Sequence, residues 1–196
     1  MWCKIQEATT MTRHGLWHRL RSTNLRIAAR IGVVALSICA GSLALLGALG
    51  IRINASPSLP LGLYIVTSDL KASLVEFCPA EPYGSLAAAR GYRTKGSCPD
   101  GATPLMKPVV ARSGDRVQVS EQGLSVNGKL LPNTAPRGTD TMGRPMRQWP
   151  VGSYRVMPGT VWVASSHNPR SFDSRYFGPI AVSSIRGHLQ PLATEP

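Results

Sequence analysis

Negative charge is scarce in this chain of 196 residues: ten Asp and Glu stand against 22 Lys and Arg, a formal charge of +12. Charged residues of both signs reach only 16% and aromatics only 6%. The excess of base calls for an anionic partner, whether lipid, nucleic acid or an acidic substrate. No basic patch interleaved with aromatics supports the nucleic-acid option, which therefore rests on charge alone. Four Cys are too few for a disulfide-dense mini-scaffold. No repeat or low-complexity tract occurs. The low charged fraction leaves room for a membrane segment, and the 43% apolar share is enough to fill a core, which excludes whole-chain disorder. Sixteen Pro and 19 Gly argue against a helical bundle and for a turn-rich β domain.

One long apolar run is present. Residues 31–51, IGVVALSICAGSLALLGALGI, contain no charge and are bracketed by Arg30 and Arg52. As a helix this run spans roughly 31 Å, about one hydrocarbon core. Before it, Lys4, Arg13, Arg19, Arg21, Arg26 and Arg30 face a single acid, Glu7. The positive-inside rule places residues 1–30 in the cytoplasm, a transmembrane anchor at 31–51 and residues 52–196 outside. This basic tail accounts for about half of the surplus charge. A cleavable signal peptide is the rival; its apolar core is shorter, about 7–15 residues. His14 and His18 share a helix face, with no Cys or acid to complete a metal site. Cys3 and Cys39 read as ordinary reduced thiols.

Beyond the anchor, strand signals recur. Leu63–Thr67 and Pro108–Ala111 are short β-branched runs, Arg116–Ser120 alternates by face, and Val161–Ala164 is apolar throughout. Asn127-Gly128 between Leu124–Val126 and Lys129–Leu131 is a strong hairpin signal. Only Ser85–Arg90 and Ser183–His188 read as helical. The expected class is mainly β, with short antiparallel strands and long loops. Cys78 and Cys98 lie in this outer half, where an oxidising compartment favours a bridge pinning an insertion around 78–98. Closing a loop of that size contributes roughly 3 kcal/mol. A redox or metal pair would want CxxC spacing and further ligands, which are missing.

Three segments stand out: Asn54-Ala55-Ser56-Pro57-Ser58-Leu59-Pro60-Leu61-Gly62-Leu63-Tyr64, Leu105-Met106-Lys107-Pro108-Val109-Val110 running on to Val117, and Ser171-Phe172-Asp173-Ser174-Arg175-Tyr176-Phe177-Gly178-Pro179-Ile180. A serine hydroxyl needs a base to become a nucleophile. Lysine serves only when burial holds its amine neutral, and Lys107 has apolar neighbours on both sides. Taken one at a time, Ser58 also reads as a turn residue, Lys107 as a solvated lysine and Asp173 as a turn cap. His167 offers a weaker Ser-His alternative.

Together and in this order the segments resemble the type I signal peptidase clan, and within it the conjugative-transfer, TraF-type branch. Leu59 directly before Pro60 is similar to that branch. The Gly-Asp-Asn-Arg run that signal peptidases carry before the last segment is absent, with Ser166-His167-Asn168-Pro169-Arg170 in its place. The resemblance implies a signal-peptidase-like antiparallel β-barrel or β-rich catalytic domain, held by one N-terminal helix on the outer face of a bacterial inner membrane. It implies Ser58 as nucleophile and Lys107 as general base. It implies Ser56 as a second oxyanion donor, Ser171 as the hydroxyl orienting the lysine, and Asp173 with Arg175 as a supporting ion pair. Strand alternation would put those last two side chains on one face. The implied substrate is a precursor protein, in this branch a conjugative pilin precursor, matured and in some cases cyclised for a type IV secretion system. Partners would be that substrate, inner-membrane lipid and other conjugation components, with neither metal nor organic cofactor. The alternatives are a general signal peptidase and a catalytically inactive bitopic scaffold of the secretion apparatus.

Overall fold

The structure, a computed structural model, describes residues 7–195, and of their side chains those of 27–42 and 44–195. Cys3 and the side chains of His14 and His18 lie outside these. The chain divides into two compact units after Leu49. The first is one helix, α1 (Glu7–Ala48). Within it, Ile27–Ala48 is long and apolar enough to cross a membrane. Gly50 follows at φ +77°, a conformation that ends helices and suits a residue without Cβ. The last residue of the apolar run, Ile51, already belongs to a strand.

The second unit is mainly β. Its elements are β1 (Ile51–Asn54), β2 (Gly62–Thr67), β3 (Leu74–Phe77), α2 (Tyr83–Ala89), β4 (Leu105–Ala111), β5 (Arg116–Ser120), β6 (Gly123–Val126), β7 (Lys129–Leu130), β8 (Gly152–Arg155), β9 (Thr160–Val163), α3 (Ser174–Phe177), β10 (Ile180–Ala181) and β11 (Ile185–Thr194). They form an antiparallel seven-stranded sheet ordered β1-β2-β11-β3-β4-β9-β10 and a four-stranded sheet ordered β7-β6-β5-β8. The Asn127-Gly128 hairpin is present, with both residues at positive φ, 50° and 84°, as a two-residue turn of that type requires.

The segment expected to be helical at Ser183–His188 is not. A short 3-10 turn, Val182–Ser184, leads into β11, which pairs with β2 on one side and β3 on the other. Two ladders of hydrogen bonds override a weak local preference, and the strand accommodates Pro191 by a register shift before Ala193. The Ser85–Arg90 expectation is met by α2. Cys78 and Cys98 are bridged, closing the segment that carries α2.

Two apolar clusters flank β9. Val161 and Val163 join Val75, Phe77, Phe172, Tyr176 and Phe177. Trp162 and Ala164 join Val117, Val119, Leu124 and Val156. Successive strand residues point to opposite faces, so an uninterrupted apolar run suits a strand buried on both. β4 serves both clusters, but by a change of register rather than by strict alternation: Leu105 and Val109 pack on the first, and Val110 and Ala111, at the irregularity against β9, on the second.

Candidate active site

Ser58 sits in the turn between β1 and β2, and this turn is built by Asn54 at the end of β1. The buried Asn54 Nδ2 lies 2.9, 3.1 and 3.0 Å from the carbonyl oxygens of Ser56, Leu59 and Pro60, while its Oδ1 accepts the Ser56 N–H at 3.1 Å. Tyr64 on β2 donates its hydroxyl to the Pro60 carbonyl at 2.8 Å. The turn therefore presents Ser56 and Ser58 together: Ser56 Oγ donates to Ser58 Oγ at 3.3 Å and accepts the Ser58 N–H at 3.3 Å.

Lys107 is the third residue of β4 and only 3% exposed. Burial drives its ammonium pKa down from 10.5 to about 8; the Asp173 carboxylate works in the opposite direction, and Arg175 adds a smaller push downward. Ser58 and Lys107, distant in sequence, line one cavity of about 380 Å³, together with Ser56, Pro57, Tyr92, Met146, Phe172 and Tyr176. Among the described residues no hydrogen bond links Lys107 Nζ to Ser58 Oγ. Contacts of this kind tighten when substrate enters.

Asp173 and Arg175 are brought together, by a different geometry from the one strand alternation supplies. Asp173 is the N-cap of α3, accepting the Arg175 N–H at 3.2 Å, and its two oxygens pair with Arg175 Nε and Nη2, each at 2.8 Å. Capping and pairing thus coexist in one carboxylate. Both side chains are 0% exposed. Arg175 also donates to the carbonyls of Asn133, Pro169 and Ser171 at 3.1, 3.0 and 3.0 Å. Asp173 holds the Arg175 guanidinium above its ordinary value against the opposing effect of burial. Ser171 Oγ is buried and has no hydrogen-bond partner among the described residues, leaving a hydroxyl available to a neighbouring group.

Two residues with positioning contacts carry no assignment from sequence. Asn54 is one. Ser165 is the other: fully buried, it donates Oγ to the Ser58 carbonyl at 2.5 Å, while its N–H goes to Asp173 Oδ2 at 3.0 Å. It therefore joins the Ser58 turn, 107 positions earlier in the chain, to the Asp173–Arg175 pair. Its Oγ also accepts the N–H groups of His167 and Asn168, both at 3.1 Å. His167 itself is exposed and does not line the cavity. No local signal marks Ser165, because its role exists only through contacts of long sequence separation.

The mouth of the cavity is formed by the bridged segment, the loop before β8 and the loop before α3, which supply Tyr92, Arg137 and Arg170 respectively. Tyr92 donates its hydroxyl to Asp140 Oδ2 at 2.5 Å, and Arg144 Nε reaches the same oxygen at 2.6 Å. Arg144 Nη2 crosses to the Arg90 carbonyl, and Arg90 Nη1 to the Pro145 carbonyl, both at 2.9 Å. Burial alone would raise the Asp140 pKa, but hydrogen bonds from Tyr92, Arg144 and the Met142 N–H hold it well below the usual carboxylate range. Among the described residues, no group of three or more His, Cys, Asp or Glu is arranged to hold a metal ion.

The family model described as "Signal peptidase, peptidase S26" matches residues 24–192. A plasmid transfer protein TraF of Escherichia coli is 40% identical over 176 residues, 86% of this chain and 96% of that protein. A second E. coli protein of that name is 37% identical over 167 residues, 84% and 93% of the two chains. A probable conjugal transfer protein TraF of Sinorhizobium fredii is 41% identical over 152 residues, 74% of this chain and 78% of that one. Among solved structures, a signal peptidase I from Enterococcus faecalis V583 aligns with 64% of this chain and 99% of its own, at 17% identity and a TM-score of 0.35.

Proposed function

The chain belongs to the signal peptidase family, peptidase S26, and from that premise we propose that it is a membrane-anchored serine endopeptidase with Ser58 as nucleophile and Lys107 as general base. The observation that carries this reading is a lysine buried in an apolar strand setting, with its pKa brought to about 8, lining the same cavity as a serine held in a fastened turn. An amine with that pKa is neutral in a useful fraction of molecules near neutral pH.

The reaction follows from the groups present. The neutral Lys107 amine takes the Ser58 hydroxyl proton as Oγ attacks the scissile carbonyl. The resulting oxyanion takes the Ser58 N–H and the Ser56 hydroxyl as donors, which exchange their long 3.3 Å contacts within the turn for it. The Lys107 ammonium then protonates the leaving amine, and an acyl-enzyme remains on Ser58 Oγ. Water, deprotonated by Lys107, releases the acid and regenerates the free serine. A primary amine of the substrate's own chain could replace water, giving a closed peptide and no net hydrolysis. Ser171 Oγ, otherwise unpartnered, orients the amine, and Asp173 steadies the positive charge that Lys107 acquires.

The relatives named for plasmid and conjugal transfer support a role in conjugation and so a specialised substrate over a broad set of secreted proteins; the substrate proposed is the conjugative pilin precursor that the sequence resemblance implies. The basic residues before the apolar helix support a cytoplasmic N-terminus, with residues 52–196 on the periplasmic face of the inner membrane. The test is co-expression with a conjugative pilin precursor, followed by intact mass of the product, for wild type and Ser58→Ala. A trimmed product with wild type alone is expected, and a further loss of one water identifies ring closure. An untouched precursor with wild type, repeated on generic signal-peptide precursors, would sink the reading and favour a scaffold.

A further inference from the structure

The cavity over Lys107 carries positive charge that the acyl-transfer chemistry does not use. Arg137 and Arg170 both line it, and both are exposed. Neither guanidinium has a hydrogen bond or ion pair among the described residues; their contacts are through backbone N–H groups, Arg137 to Tyr176 Oη at 3.0 Å and Arg170 to Asn168 Oδ1 at 2.8 Å. The lining contains one acid, Asp140, and its oxygens are already taken. Oδ1 accepts the N–H groups of Met142 and Arg144, both at 2.9 Å, and Oδ2 accepts from Tyr92 and Arg144 Nε. The charge left open to a ligand is therefore cationic.

The two arginines also stand on fixed backbone. The buried Arg175 donates to the carbonyls of Asn133, four residues before Arg137, and of Pro169 and Ser171, which flank Arg170. One buried cation thus fastens both loops, so each exposed guanidinium starts from a held Cα. The remaining lining mixes the apolar Pro57, Met146 and Phe172 with uncharged hydroxyl and amide side chains and with Lys107. An extended peptide in such a cleft has a register problem: sliding by two residues restores the same facing of side chains. A charged anchor at one position removes that ambiguity, and guanidinium is the side chain best matched to carboxylate geometry.

We infer that Arg137 and Arg170 form a carboxylate-recognition subsite of the cleft, selecting peptides with an acidic side chain or a free chain-terminal carboxylate close to the bond that Ser58 attacks. The placement of that bond rests on the serine-peptidase reading. The subsite sets which peptide is held and in which register; it takes no part in the proton transfers.

The experiment reads binding without turnover. Full-length Ser58→Ala protein in non-ionic detergent is titrated with fluorescein-labelled decapeptides of Ser, Ala and Thr, followed by anisotropy. Three have amidated ends and carry Glu, Gln or Lys at one central position. A fourth, shortened to end three residues after that position, carries Gln there and a free C-terminal carboxylate. The Glu peptide, the free-carboxylate peptide or both should bind about tenfold more tightly than the amidated Gln peptide, with Lys weakest; which of the two gains identifies the source of the carboxylate. Adding R137Q and R170Q, singly and together, should collapse that difference while the thermal midpoint stays with the parent. Adding R116Q and R155Q, which removes two exposed arginines from β5 and β8, should leave it intact and so controls for bulk charge. Equal affinities, no binding, or a preference that survives R137Q/R170Q or falls equally with R116Q/R155Q would overturn the subsite. Ser58-dependent cleavage by the wild type is scored separately: its absence with selectivity intact breaks the peptidase reading alone, and its presence without selectivity breaks the subsite alone.

Discussion

The floor and the mouth of the cavity use the same side chain in opposite ways. The floor is backed by a buried layer around Lys107, in which Arg175, not itself a lining residue, is fully buried, paired with Asp173 and bonded to backbone carbonyls from two loops. At the mouth, Arg137 and Arg170 are exposed and keep their guanidinium donors for a ligand. Burial makes a charge architectural, because an unpaired ion in the interior is too costly to tolerate and every donor must find a fixed acceptor. Exposure leaves a charge available, because water satisfies it until something better arrives. The floor should therefore govern whether the reaction and the fold exist, and the mouth should govern which peptide is taken.

The largest effect is expected at the two residues where floor and chemistry coincide. Ser58→Ala should abolish turnover in an intact-mass cleavage assay, and so should Lys107→Arg, since a guanidinium cannot act as a base near neutral pH. Wild-type rates in either variant would end the proposed mechanism. Lys107→Met should also be inactive yet more stable at neutral pH. A buried lysine with a pKa lowered from 10.5 to about 8 costs roughly 3 kcal/mol while protonated, a cost relieved as pH rises from about 8 towards 10.5.

Next is Arg175→Ala, which leaves a buried Asp173 uncompensated and should lower unfolding free energy by about 3–5 kcal/mol in denaturant titration. A variant as stable as wild type would erase the contrast between floor and mouth. The pH dependence comes third. The neutral fraction of Lys107 rises with pH up to about 8, so kcat/KM should climb about tenfold per unit below that value and level off above it. A profile flat from pH 6 to 9 would argue against this base. Ser165→Ala should reduce kcat by about tenfold through the misplaced Ser58 turn, with KM and the alkaline midpoint unchanged; a rise in KM alone would make Ser165 a binding residue instead. The smallest effect belongs to the mouth. Arg144→Gln loses an ion pair in which Arg144 is 36% exposed and Asp140 only 6%, but Tyr92 and two backbone N–H groups still hold Asp140, so the thermal midpoint should fall by only about 3 °C.

The strands legible in the sequence were those whose pattern is local. Arg116–Ser120 alternates, Asn127-Gly128 marks its own turn, and the VWVA run declares a strand buried on both faces. β1, β3, β8 and β11 lack such marks. Ile51–Asn54 merges with the apolar run before it. Leu74–Phe77 is interrupted by Glu76, which is buried against Arg52 at 2.8 Å, a pairing invisible to periodicity. β11 contains Gly187 and Pro191 and is a strand because β2 and β3 lie on either side of it. The same division runs through the site. Ser58 and Lys107 suggest chemistry by residue type and setting, while Asp173 and Arg175 become legible only through the resemblance of the three segments, in order, to signal peptidases. Asn54 and Ser165 contribute through carbonyl contacts, and a carbonyl has no residue type to read.

The tie from Ser165 to Ser58 has a consequence in time. The turn bearing Ser58 is made early in synthesis, β4 at mid-chain, and Ser165, Asp173 and Arg175 only in the last fifth of the chain. Chains leave the ribosome N-terminus first. A half-finished molecule thus has its serine but neither the clasp on that serine's carbonyl nor the carboxylate beside the lysine. If the proposed mechanism holds, the arrangement it needs is complete only when the last fifth of the chain has been made.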